Sequence, residues 1–280
     1  MSTPPGAIVI AAHNEEASIG RCLLALQEAV TTANVQVIVV CKGCTDATAT
    51  VARGFAGVTI VELDVASKTA ALRAGDRIAA NGPRIYLDAD VVLTSRAAVD
   101  VLTALSNGAI AGRPPLRFDY GGATATVRRW YTIRQQLPFI QRALWGAGCY
   151  ALSVPGRARF DEFPDLVSDD LFIDSLFTAE EVTIVATDPV GVRTPRKTAD
   201  LLRILRRTYR TQSEVVSSHP AEIVSSGQRG QLRDLGALLR QQPLLAFDVA
   251  VYVSLIFYAR IRARLARSTV WERDNSSRAQ

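Results

Sequence analysis

Four short apolar runs, separated by three stretches of helical periodicity, constrain this chain more than any other feature. "AIVIAA", residues 7–12, is continuous and rich in branched residues, as a strand buried on both faces is. It leads into "HNEEASIGRCLLALQEAV", where Ile19, Cys22, Leu23 and Leu26 recur at helical spacing and Glu15 and Glu16 suit a first turn. "VQVIVV" reads as a second strand and "TDATATVARGF" as a second helix with Thr45 or Asp46 as N-cap. "VTIVEL", "SKTAALRAGDRIAA" and "RIYLDADVVL" continue the series as strand, helix, strand. This alternation predicts βαβ units and a mostly parallel, doubly wound α/β sheet flanked by helices.

Ligands of such sheets sit beyond the carboxyl ends of the strands. Three loops leave those ends: His13–Glu16, Cys41–Asp46 and Asp88–Asp90. The chain has neither GxGxxG nor GxxxxGK[ST], so a dinucleotide or P-loop site is not supported. Instead Asp88 and Asp90 leave a strand one residue apart. Two carboxylates there suit a hard divalent cation whose shell water and phosphate oxygens complete. Their mutual repulsion without a cation favours that reading over an exposed acidic turn. Cys41 and Cys44 have the spacing of a redox pair or half a zinc site. A structural zinc needs four ligands, and the chain offers no second CxxC and only His13 and His219. The two cysteines read better as small packing residues at a strand end, leaving polar contacts to Thr45, Asp46 and the backbone.

The second half is less regular. A helix from about Ala123 to Leu137, a Gly-hinged turn and a strand at Cys149–Ser153 are expected. Asp169 and Asp170 open a helix whose apolar positions include Leu171, Phe172, Leu176 and Phe177. Two readings of that pair stand together: carboxylates stabilised by the helix dipole, or a general base facing a substrate. Between Arg193 and Arg210, seven basic residues meet only Asp200. That suits a phosphate-bearing substrate or a membrane surface, and equally a solvated helix face. A nucleic-acid partner is not expected, because Tyr209 alone interleaves the basic residues and no recognition module is present.

With these residues in place, the chain resembles the inverting family 2 glycosyltransferases of the GT-A fold. "IVIAAHNEE", "VVCKGCTDAT", "SKTAALRAG", "YLDAD", "GAGCYALS" and "SDD" occur in that family's order and cover roughly residues 7–210. The resemblance implies a Rossmann-like nucleotide-diphospho-sugar transferase fold and a hexosyltransferase-like enzyme. It would take a nucleotide-sugar donor, a hydroxyl acceptor (a saccharide, lipid-linked or small molecule) and Mg²⁺ or Mn²⁺. Ala12, His13, Asn14 and Glu15 match the first nucleotide-contacting loop, with Glu15 near the ribose or base. Cys41 to Asp46 matches the base-binding turn, and Lys68 a basic or small residue flanking the nucleotide. Asp88 and Asp90 match the DxD that holds the metal against the diphosphate, with Asp90 as the direct ligand. Asp170 matches the general base, and Asp169 would support or contact the acceptor. Two departures stand out. Cys41 and Lys42 replace acids common in the family, which removes a carboxylate acceptor for a base N–H. The QxxRW motif is absent, and Arg203, Arg206 and Arg207 in "RTPRKTADLLRILRRTYR" resemble the basic segment that closes over the diphosphate in relatives without it.

Pro243 to Ala259 is apolar except for Asp248 and Ser254, and "RIRARLAR" follows. A spanning helix needs about 20 residues and tolerates an aspartate badly. A helix lying on an anionic membrane surface is expected over a span, with a core helix bearing a basic end as the alternative. The domain reading is a transferase domain over 1–210, halved at about 95, then a helical extension over 211–270 and a disordered tail over 271–280. Four cysteines and an N-terminus without a basic n-region lead to a cytoplasmic expectation, peripheral on the inner face of the cell membrane. Two competing functions carry less of the sequence. A nucleotidyltransferase would want a Gly-rich basic signature near the N-terminus, where only Gly20 stands. A non-catalytic nucleotide-binding or membrane scaffold has no use for Asp88, Asp90 and Asp170 together.

Overall fold

The computed structural model describes residues 6–166, 168–218 and 226–265, with side chains described outside 211–230 and 264. In chain order the elements are β1 (Ala7–Ala12), α1 (Ile19–Ala33), β2 (Gln36–Lys42), α2 (Thr48–Arg53), β3 (Val58–Leu63), α3 (Lys68–Ile78), β4 (Arg84–Asp88) and α4 (Ser95–Ser106). The expected alternation runs as far as β4, and α4 extends it by a helix the sequence reading did not include. Then come β5 (Ala111–Arg113), β6 (Leu116–Asp119), α5 (Ala125–Arg134), α6 (Pro138–Arg142), β7 (Cys149–Leu152), α7 (Val154–Arg157), α8 (Asp169–Ser175), β8 (Val182–Ile184) and β9 (Val190–Arg193). Last are α9 (Thr198–Ser218), α10 (Ser226–Gln241), a 3₁₀ turn at Pro243–Leu245 and α11 (Ala246–Leu265).

Two compact units result. One comprises the chain up to Arg117 together with Leu144–Val192; the other comprises Phe118–Ala143 and the chain from Arg193 onward. The units interleave along the sequence, whereas the sequence reading cut the chain linearly.

In the first unit seven strands form one sheet in the order β3-β2-β1-β4-β7-β5-β8. β3, β2, β1 and β4 pair in parallel, while β7 runs antiparallel between β4 and β5. β6 and β9 form a separate two-stranded ribbon. Ala11 stands opposite Asp88 and Ala12 opposite Cys41, so the loops after β1, β2 and β4 leave at one rim.

Period-two alternation decides which way each side chain faces. Ile8, Ile10, Val37, Val39, Cys41, Ile85 and Leu87 belong to the core cluster that also holds residues of α1 and α4. Val9, Ala11, Ile38, Val40 and Tyr86 belong to the opposite cluster, with Ala71 and Leu72 of α3 and Phe172 and Ile173 of α8. Both faces are covered, which is why these strands read as continuous apolar runs.

Element ends differ from the sequence reading for local reasons. α1 starts at Ile19, because Glu15 accepts from the amides of Ser18 and Ile19 in a preceding turn. The N-cap position of α2 is Ala47, although Asp46 performs the capping: its carboxylate accepts from the Thr48 amide at 3.1 Å. β4 ends at Asp88, whose carbonyl accepts from Val91 in a turn. α5 is shorter than expected and stops before Pro138. β7 yields at Ser153, which caps α7 by accepting from Gly156 at 3.1 Å.

In the second unit α11 packs against α5 and α9. Val249, Tyr252, Ile256 and Ala259 form its buried face, and Tyr252 stacks on Trp130 with ring centroids 5.3 Å apart. Asp248 pairs with Arg129 at 2.5 Å.

Candidate active site

The first rim element is a pair of stitched loops. Asn14 adopts a left-handed backbone, φ 53°, and its Oδ1 accepts from the Thr45 amide at 2.8 Å. His13 donates from Nδ1 to the Lys42 carbonyl at 2.7 Å. Thr48 accepts from the Glu15 amide at 2.7 Å, and Glu16 accepts from the Ala47 amide at 2.9 Å. Glu15 also accepts from the Ser18 hydroxyl at 2.6 Å. Burial raises the Asp46 carboxyl, but bonds from the Thr48 hydroxyl and from the Thr48 and Glu16 amides outweigh it and leave the group below its ordinary value. These bonds hold the two loops as one ledge. They also commit the Asp46 carboxylate to the loop itself.

The second element is a cleft on the α3 face of the sheet. Asp88 follows Tyr86 by two residues, so alternation turns both side chains to that face. Lys68, first residue of α3, places Nζ 2.7 Å from Asp88 Oδ1 and 2.8 Å from Asp169 Oδ1. The other oxygen of Asp169 accepts from the Tyr150 hydroxyl at 2.8 Å, and the side chain is 3% exposed. Asp170 accepts from the Gly146 amide at 2.8 Å, the Leu171 amide at 2.8 Å and the Ser168 hydroxyl. Lys68, Tyr86, Asp88, Gly148, Tyr150, Asp169 and Asp170 line one cleft. Gly148, at φ +62°, lets the chain pass Asp88: a Cβ there would meet Val91 at 2.5 Å.

Charge in the cleft is balanced from within. Burial works against the Lys68 ammonium, but Asp169, Asp88 and Asp170 hold its pKa well above the ordinary lysine value. Burial raises Asp88 despite Lys68, and burial followed by repulsion from Asp169 raises Asp170.

The sequence-predicted residues thus divide. Asp88, Asp169, Asp170 and Lys68 come together in one cleft, and Asp90 is exposed one residue past the buried Ala89. Ala12 and Cys41 have buried side chains, so only their backbone reaches the rim. Cys41 lies inside β2 rather than in the loop, with its thiol pushed up to about 12 by burial and by Cys44. All four cysteines are free, and the packing reading of Cys41 agrees with its place in the core. Arg203, Arg206 and Arg207 stand on α9 in the second unit, where Arg203 pairs with Asp200 at 2.9 Å.

Sequence reasoning missed Tyr150 and Asp174. Tyr150 lies inside the quoted "GAGCYALS", but a tyrosine in a strand carries no sign of what its hydroxyl meets. Asp174 accepts from the Leu144 amide at 2.7 Å, beside the Gly146 amide that binds Asp170. The signal was available: Asp170 and Asp174 are four apart on α8, hence on one face. Burial pushes the Asp174 carboxyl up to about 6.

Among solved structures, the chain is similar to the mannosyltransferase PcManGT of Pyrobaculum calidifontis, in complex with GDP-Man and Mn²⁺. Identity is 15%, with 94% of this chain and 87% of that one covered and a TM-score of 0.61. It is also similar to Staphylococcus aureus TarS 1–349 in complex with UDP, at 12% identity, 96% and 94% coverage and a TM-score of 0.51. Glucosyl-3-phosphoglycerate synthase of Mycobacterium tuberculosis, with Mn²⁺, UDP and glucosyl-3-phosphoglycerate, matches at 20% identity, 79% and 81% coverage and a TM-score of 0.51. Among curated proteins none matches the sequence. The family model described as glycosyl transferase family 2 matches residues 7–154, a span that contains the stitched loops, Lys68, Asp88 and Tyr150. More than half of the chain answers to that model, on a GT-A sheet, and the chain therefore belongs to glycosyl transferase family 2.

Proposed function

We propose that the chain moves a sugar from a nucleoside diphosphate donor to an acceptor hydroxyl in one displacement that inverts the anomeric centre. The observation that carries this reading is the single cleft lined by Asp88, Asp169 and Asp170 at the rim of the parallel strands. The acceptor oxygen forms its bond to the anomeric carbon as the bond from that carbon to the diphosphate oxygen breaks. The acceptor proton passes to Asp170. Asp169 is set aside as the base because its side chain is only 3% exposed, shut between Lys68 and Tyr150, whereas Asp170 is half-buried. Its part is to hold Lys68 and the floor of the cleft in place. No protein nucleophile is needed, so the product carries the opposite anomeric configuration.

Asp88 and Asp90 are hard oxygen donors and fit Mg²⁺ or Mn²⁺. Among the described residues no three His, Cys, Asp or Glu side chains group as a ready-made cage. In the proposed site the donor's phosphate oxygens would complete the shell. When bound, the cation supplies charge neutralisation for the departing diphosphate. The ledge of His13, Asn14, Glu15 and Thr45 would receive the nucleoside. Likeness to structures solved with GDP-Man or UDP, two of them with Mn²⁺, supports a nucleotide sugar as donor.

A thermal-shift panel of nucleotide sugars, each with and without Mn²⁺, tests the proposal. One donor should raise the melting temperature, more so with Mn²⁺, and the Asp90→Ala variant should lose the Mn²⁺-dependent part. A panel without any shift, or an unchanged Mn²⁺ effect in Asp90→Ala, would count against it.

A further inference from the structure

Among the described residues, the outer face of α11 has no apolar cover that would explain its composition; the Arg129 guanidinium, 4.8 Å from the Phe247 ring centroid, is a contact at its start. Among its described side chains the exposed positions are Ala246, Phe247, Ala250, Val253, Ser254, Phe257, Tyr258, Ile261, Arg262 and Leu265. They recur at steps of three and four, so they form one stripe. Eight of the ten are apolar, and no charge interrupts the stripe before Arg262. Phe247 is 64% exposed, Phe257 66% and Leu265 71%, and Leu244 of the preceding turn is 97% exposed. The opposite face is committed to protein through Val249, Tyr252, Ile256 and Ala259.

Pro243–Ala263 is long and apolar enough to cross a membrane by length and composition, with mean hydropathy 1.8 in its most apolar window. Crossing would require the inner face to leave Trp130 and would carry Asp248 and Arg129 into hydrocarbon or break their pair. An interfacial position keeps all of these contacts. Charge points to the kind of surface. From Ser226 to Leu265 the sequence holds six arginines (Arg229, Arg233, Arg240, Arg260, Arg262, Arg264) against Asp234 and Asp248. Arg240 and Arg262, both exposed, stand at opposite ends of the apolar stretch in sequence, and the one acid on α11 is already paired.

We infer that α11 docks this unit on an anionic lipid bilayer, lying in the plane of the interface with Phe247, Val253, Phe257 and Ile261 among the acyl chains. Arg240 and Arg262 meet the headgroups. Partition of an amphipathic surface of this kind grows with buried apolar area and with attraction to acidic lipid. The inference does not depend on the glycosyl-transfer mechanism, since no residue of the cleft enters it.

Co-sedimentation of the full chain with vesicles tests it, comparing phosphatidylcholine alone with phosphatidylcholine containing phosphatidylglycerol. Binding should require the acidic lipid and weaken with salt. Phe247→Ser with Phe257→Ser should cut affinity by about tenfold or more. Arg262→Gln should cut it by about fivefold. Both changes are at exposed positions, so an unchanged melting temperature verifies that the variants fold. Three outcomes would overturn the docking. One is no binding to either vesicle. The second is a concentration-dependent dimer that the double serine variant abolishes, which assigns the stripe to a second copy. The third is resistance of the membrane-bound protein to alkaline carbonate, which assigns it to a span.

Discussion

Asp169 and Asp170 are adjacent in sequence and unlike in situation. Asp169 is sealed between an ammonium and a phenol, whereas Asp170 is half-buried on the wall of the cleft and held by two amides and a hydroxyl. Only the second is open enough for an entering acceptor to reach, which is the ground for its proposed role as base. Asp170→Asn should lower turnover by about 10² or more while calorimetry finds the same donor affinity. A parallel loss of donor binding would make it a donor ligand instead. The pH profile offers an independent check. Burial and the neighbouring Asp169 raise the Asp170 carboxyl above its ordinary 3.8, and a base works only when ionised. Activity should be full above the raised value and fall as pH drops through it, at a higher pH than a free aspartate would give. An acid limb of kcat/KM at or below 3.8 would exclude Asp170. From the residues alone only the pair could be read here; its division of labour came from the family resemblance. Two carboxylates at a helix start look alike until the partners from α3 and β7 arrive, and those partners are about one hundred and about twenty residues away along the chain, respectively.

At the level of elements, the parallel half of the sheet was legible because its strands are buried on both faces and its helices carry clear stripes. β5, β8 and β9 escaped notice. Their three or four residues, such as "AGR" and "VTI", are too few to establish a period, and their pairing depends on distant strands. α11 was legible as a helix, but its outer face was not. An apolar helix has similar composition whether it is wrapped in protein, lying on lipid or crossing it, and only the partners on its inner face separate these cases. Trp130 of α5 is the chief such partner, 2% exposed and stacked on Tyr252. Trp130→Ala should lower stability by about 3 kcal/mol or more, measured from the urea midpoint. A change below ~1 kcal/mol would mean that α11 is held to α5 by something other than this stack.

For the whole molecule, membership of glycosyl transferase family 2 sets aside the scaffold alternative, and the sheet order accounts for why the ordered motifs in the sequence fall at one rim. The arginines of α9 show the reach of sequence reading at this scale. Their helix followed from spacing, whereas the ion pair of Arg203 with Asp200, three residues apart on one face, was not read there. Lys68 carries a consequence of a different kind. Many sites rich in acid hold together only while something positive is bound, and an empty one strains the fold around it. Here the chain brings its own positive group to the gap, so the pocket should be a settled part of the structure with or without a metal. Treatment with EDTA should leave the melting temperature of the free protein where it was, and Lys68→Met should lower it at neutral pH, less so near pH 4 as the stranded acids take up protons. A chelator that melts the protein would mean the opposite: a fold waiting on its metal, unable to stand ready between one substrate and the next.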